Sequence, residues 1–172
     1  MTSHPKNVIA DLIDAKLPWN QTHAIMSGFK DEDRFFKVIE ILQERVAWDE
    51  QILLPIGEHL MIVQKGHERI VKCSCGHEFC DYRENWKYCA LIKVRNDQAS
   101  IEEIYPGRAA CDPDWMEIRE FICPGCVALL EVEAAAPGYP IVFDFLPDLE
   151  TFYSEWLNHP LPDGQESGGA GT

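Results

Sequence analysis

The chain has 172 residues, 46% of them hydrophobic, and a formal net charge of −14. That length suits one domain with an added arm, and the apolar share excludes a disordered polymer. The negative field argues against a phosphate backbone as partner, so no nucleic acid is expected.

The opening stretch, MTSHPKNVIADLIDAK, lacks a charged-then-apolar signal. No apolar run reaches the ~18 residues of a membrane span. Val8, Ile9, Leu12 and Ile13 mark one face of a first helix that Pro18 ends. Asn20 is placed to cap a short second helix that stops at Gly28. In the third, Phe35, Val38, Ile39, Leu42 and Val46 recur at helical spacing, and Asp31, Glu32 and Asp33 stand at its positive end.

After Trp48 the period changes. LMIVQ (60–64) and RIVKC (69–73) flank KGHE, a hairpin signal. CALIKVR (89–95) alternates, with Ala90, Ile92 and Val94 on one side and Lys93 and Arg95 on the other. The run REFICPGCVALLEVEA (119–134) alternates in its second half, Leu130 and Val132 against Glu131 and Glu133. The middle therefore reads as antiparallel β structure carrying all seven cysteines. APGYPIVFDFLPD follows as extended chain. Leu149, Phe152, Tyr153, Trp156 and Leu157 then mark a last amphipathic helix, capped by Asp148 and ended by Pro160 and Pro162. Its aromatic face serves either its own core or another subunit's groove. The tail, DGQESGGAGT, lacks a packing residue and is expected to be disordered.

The fold class is therefore α+β: N-terminal helices, an antiparallel zinc-ribbon-like middle and a C-terminal amphipathic helix. The expected divisions are an arm at 1–48, a β-rich zinc-ribbon domain at 49–135, an extended segment with a docking helix at 136–162 and a tail at 163–172.

Seven cysteines is an odd count and argues against a full disulfide framework. Reduced thiols with a metal, in the cytoplasm, fit better. Cys73-Ser-Cys75-Gly and Cys123-Pro-Gly-Cys126 form two close pairs separated by β structure. Two such pairs on tight turns aim four thiolates inward, and zinc accepts soft thiolates in a tetrahedron without opposing the protein's geometry. The expected ligands are Cys73, Cys75, Cys123 and Cys126. Cys80 is the reserve, because CGHEFC competes with CSC for the first pair. Val127 stands where a second knuckle often carries glycine. His77 is read as a neighbour of the site, and Cys89 and Cys111 as free structural thiols, Cys89 on a strand. Four thiolates fill zinc's coordination shell, so the ion is expected to hold shape.

CPGC also resembles a redox dithiol. Such pairs sit at a helix N-terminus, whereas the residues after Cys126 alternate like a strand. No P-loop, no GxGxxG after a strand and no GxSxG elbow occurs, and no two of the six histidines form an HxxxH pair. No catalytic residue is assigned.

Several stretches together resemble the gamma subunit of acetone carboxylase: EILQERVAWDEQILLP (40–55), KCSCGHEFCDYRENWK (72–87), EEIYP (102–106), REFICPGC (119–126) and FDFLPDLETFYSEWL (143–157). The resemblance runs from about Asp31 to Pro162 and is weakest in the N-terminal arm; Val127 departs from the family's glycine. It implies a C–C-bond-forming ligase of alpha and beta large subunits with this small one, as a doubled heterotrimer, similar to acetophenone carboxylase. Acetone and bicarbonate become acetoacetate at the expense of ATP, with a manganese-type metal in a large subunit and zinc in the small one. In such a complex Phe152, Tyr153 and Trp156, and also Trp48, Trp86 and Trp115, read as interface anchors. The alternative is a free-standing zinc-ribbon adaptor.

Overall fold

Proline starts the first two helices. The computed structural model describes residues 3–29 and 31–163. Both α1 (Lys6–Ile13) and α2 (Trp19–Ser27) follow a proline, Pro5 and Pro18, with φ at −58°. Each proline stands just before the first helical residue, where the missing N–H is one that a helix start leaves unbonded. Pro18 thus takes the place at which Asn20 was expected, and Asn20 lies inside the first turn. Gly28 closes α2. α3 (Arg34–Gln43) lies between α1 and the first strand, with Ile9 and Ile41 buried. Asp31, Glu32 and Asp33 directly precede it, at its positive end as expected. Asp33 stands at the capping place without a side-chain cap bond, while the buried Asp31 accepts from the His4 amide and pairs with Arg34.

Strands β1 (Gln51–Pro55), β2 (Leu60–Lys65), β3 (Glu68–Cys73) and β4 (Glu78–Asp81) form one antiparallel sheet in chain order. The expected hairpin is β2–β3. Lys65 pairs with Glu68, and Gly66 takes a φ of +57°, which a side chain would strain. β1 escaped the sequence reading because it does not alternate. Ile52 and Leu53 are adjacent and both buried, one towards α3 and the other towards the C-terminal segment.

A second antiparallel sheet contains β5 (Leu91–Arg95), β6 (Glu117–Ile122) and β7 (Leu129–Ala135), in that order. α4 (Gln98–Glu102) lies between β5 and β6, capped by the Asp97 carboxylate on the Ser100 amide. The alternation along β5 does not sort buried from exposed residues, since Leu91 to Val94 are all exposed. Ile92 and Val94 are exposed, and Arg95 is buried. Its guanidinium pairs with Glu120 and Glu103 and donates to the Ser100 carbonyl. Three partners outweigh the hydropathy of the alternate residues. Cys89 is not on the strand but ends a 3-10 turn, Trp86–Cys89, just before it.

Residues 136–148 run extended without joining either sheet. α5 (Leu149–Thr151) is a single turn, capped by Asp148, and continues as a wider π turn over Phe152–Trp156. The chain leaves this helix before the expected stop at Pro160, and Asn158 takes a φ of +48°. Leu149 and Tyr153 sink onto Leu53 and Ile62, and the Tyr153 hydroxyl donates to the Leu53 carbonyl at 2.7 Å. Phe152 packs edge-on to Phe35 at 5.1 Å. Of the six aromatics read as interface anchors, Trp156 and Trp115 are exposed; Tyr153 and Trp86 are buried in the core, and Phe152 and Trp48 are half-buried against it.

The fold is α+β. α3 covers one face of the first sheet, and α5 with its π turn covers the other. A further apolar cluster joins the two sheets: Leu60, Val71, Cys73, Trp86, Phe121 and Cys123. The reading of 163–172 as disordered concerns residues that, from 164 onward, lie outside the described ones. Among the described residues no helix is long and apolar enough to cross a membrane.

Candidate metal centre

Two turns bring four sulfurs to the junction between the sheets. Cys73 ends β3. The Gly76 amide donates to its carbonyl at 2.8 Å, and its own amide donates to the His77 carbonyl at 2.8 Å, so the chain folds back around Cys75. Gly76 makes this possible with a φ of +97°. The second turn follows β6. The Val127 amide donates to the Cys123 carbonyl and the Cys123 amide to the Ala128 carbonyl, each at 2.9 Å, while the Gly125 amide points at the Cys123 sulfur from 3.4 Å.

Cys73 Sγ lies 3.8 Å from Cys126 Sγ, and Cys75 Sγ lies 3.8 Å from Cys123 Sγ. All four sulfurs fall within 4.8 Å of one another. Cys73 and Cys123 are buried, whereas Cys75 and Cys126 reach solvent. This set could hold a metal ion. Burial pushes the Cys73 thiol up to about 12; the Cys75 amide works against this, while the Cys75 and Cys123 thiols add to it. A thiol that weakly acidic keeps its proton until a cation replaces it.

The structure leaves the reserve residue elsewhere. Cys80 sits half-buried on β4 beside Cys89, its sulfur 3.9 Å from the Glu84 carbonyl. Burial, with Cys89 next, pushes its thiol up to about 12. Cys111 lies 3.8 Å from the Met116 carbonyl. His77 stacks edge-on to Phe79 at 5.0 Å and abuts the second turn. After Cys126 the chain enters β7 and does not begin a helix there.

Some supporting residues escaped sequence reasoning. The Trp48 indole donates to the Ser74 carbonyl at 3.3 Å, and the Ser74 amide donates to the His59 carbonyl at 2.8 Å. Gly125 is the meeting point of the turns. A Cβ there would stand 2.8 Å from the His77 Cβ and 3.2 Å from the Cys75 sulfur. The Pro-Gly inside CPGC signalled a turn, but not this close approach.

Val127 has a φ of +62°, a left-handed conformation that a β-branched side chain resists by about 1–2 kcal/mol. Its side chain is 73% exposed, so little burial offsets the strain. Val127→Gly is expected to stabilise the metal-loaded chain by about 1 kcal/mol, less what glycine adds to unfolded-chain entropy. Urea unfolding reads this as a raised midpoint at unchanged slope; a lowered midpoint would contradict the strain.

The sequence profile of the family described as acetone carboxylase gamma subunit matches residues 46–157, which include both turns. The acetone carboxylase gamma subunit of Xanthobacter autotrophicus is 45% identical over 163 residues, covering 94% of this chain and 97% of that one. The chain belongs to the acetone carboxylase gamma subunit family. It is also similar to the acetophenone carboxylase beta subunit of Aromatoleum aromaticum, at 33% identity over 80 residues, or 45% of this chain and 62% of that one. The family match spans both sheets, α4 and the C-terminal turns, and leaves α1 to α3 outside it.

Proposed function

We propose that this chain is a zinc-holding structural subunit, without an active site of its own, of a heteromeric ATP-dependent acetone carboxylase. The complex is a cytoplasmic ligase that joins acetone and bicarbonate into acetoacetate. Its partners are the alpha and beta large subunits, assembled with it as a doubled heterotrimer. ATP and a manganese-type metal are bound by those large subunits. Within this chain, 1–48 is an arm, 49–135 holds the ion and 136–162 docks.

The observation that carries the zinc assignment is the sulfur spacing. A tetrahedron with Zn–S bonds of about 2.3 Å has edges of about 3.8 Å. Both sulfur pairs stand at 3.8 Å. Four thiolates leave no place for water or substrate, which supports a structural ion. The family and the full-length similarity to an acetone carboxylase gamma subunit support the assignment to that complex.

The test is co-expression with the alpha and beta subunits, followed by size-exclusion and metal analysis. One zinc per chain and elution with the large subunits are expected. A zinc-loaded chain eluting alone would favour the free adaptor, and ketone carboxylation by the isolated chain would overturn the non-catalytic reading.

A further inference from the structure

The chain has a segment shaped for a partner that it does not itself supply. We propose that the strap at 139–148 adds as an edge strand to a large subunit of the carboxylase, within an apolar groove rimmed by Lys and Arg. This rests on the reading of the chain as a subunit, and deepens it by naming the contact.

The backbone carries the first argument. Between Ile141 and Leu146 every amide N–H lacks an acceptor among the described residues. The strap is nonetheless held in place. Arg119 donates to the Tyr139 carbonyl, and Asn85 and Tyr88 each donate to the Ile141 carbonyl at 3.4 Å. Lys87 Nζ lies 3.1 Å from the Asp144 carboxylate. Side chains thus fix the strap from one side and leave its amides free. A pre-ordered strand loses little entropy on pairing with a sheet edge.

The side chains carry the second. Val142, Phe145 and Leu146 are exposed, the last two at 52% and 57%. Such a run of exposed apolar groups on a held segment marks a contact surface.

Charge identifies the occupant. No Lys or Arg follows Arg119, whereas nine Asp and Glu do. The two cations that reach the strap, Lys87 and Arg119, are buried beneath it. A partner must bring its own cations, which disfavours a second copy of this acidic chain.

The test uses the co-expressed complex and the double variant Phe145→Asp, Leu146→Asp in the full chain. Association is expected to weaken on the order of 100-fold, while the isolated variant keeps wild-type metal content and urea midpoint. In the wild type, hydrogen exchange at Val142–Leu146 should be fast in the isolated chain and on the order of 100-fold slower in the complex. If wild type and variant co-elute alike, or those amides stay fast in the complex, the strap proposal falls and the subunit reading stands. If the wild type does not co-elute, the subunit reading falls. Concentration-dependent protection in the isolated chain would assign the strap to a second copy and overturn the large-subunit occupant.

Discussion

Treating the purified chain with a strong chelator is expected to lower its melting temperature by about 10 °C or more and to loosen both sheets. The physical reason is where the ion would act. Cys73 belongs to β3 of the first sheet, and Cys123 directly follows β6 of the second. Both are buried in the cluster that joins the sheets, beside Leu60, Val71, Trp86 and Phe121. An ion there closes a long loop and cross-links the two sheets, so its binding energy becomes folding energy. A few kcal/mol shifts the melting point of a chain this size by about 10 °C. Scanning calorimetry with chelator, and again after zinc is restored, checks this; an unchanged transition would remove the structural ion from the account. Cys123→Ser should lose the metal, and Cys80→Ser should keep it. The reverse pattern would assign the reserve cysteine to the site. Because protons compete for thiolates, zinc affinity should fall with falling pH.

Lys87→Met is expected to cost about 3 kcal/mol at neutral pH. The Lys87 side chain is only 2% exposed, with Nζ 2.6 Å from Glu131, 3.1 Å from Asp144 and 3.4 Å from Glu133. It also lies 5.2 Å from the centre of the Phe121 ring. Burial opposes its charge, but the bonds to Glu131 and Asp144 outweigh that and raise its pKa above the ordinary lysine value. The sign follows: a raised pKa means the stabilisation is fully present at neutral pH and is lost only as pH rises past the lysine range. Methionine fits the stem but leaves Glu131 and Glu133 without that cation. Asp144 is more than half exposed, so its share is small. Acidification should shrink the penalty, because the stranded carboxylates then take up protons. Urea midpoints of the metal-loaded chain at pH 7 and about pH 4.5 test both points; a neutral-pH loss below about 0.5 kcal/mol would show that the network is surface-like.

Local chemistry was legible along the chain because it acts within a few residues. The helical spacing of Phe35 to Leu42, the stop at Gly28, the hairpin across KGHE and the Asp148 cap all follow from neighbours in sequence. The two close cysteine pairs and the family were legible for the same reason. Other features were set by partners far away in sequence. Arg95 is buried because Glu120 comes from another strand, while the rest of β5, Ile92 and Val94 included, is exposed. Phe152 and Tyr153 turn inward because Phe35 and Leu53 await them, so that Trp156 alone of that aromatic set is left in solvent. Lys87, which composition would place on the surface, is drawn under the strap by carboxylates more than forty positions later. The approach of four sulfurs to within 4.8 Å likewise needs β3 and β6 to meet. Spacing sets what each turn can offer, and only the packing of one sheet against the other decides whether the offers converge.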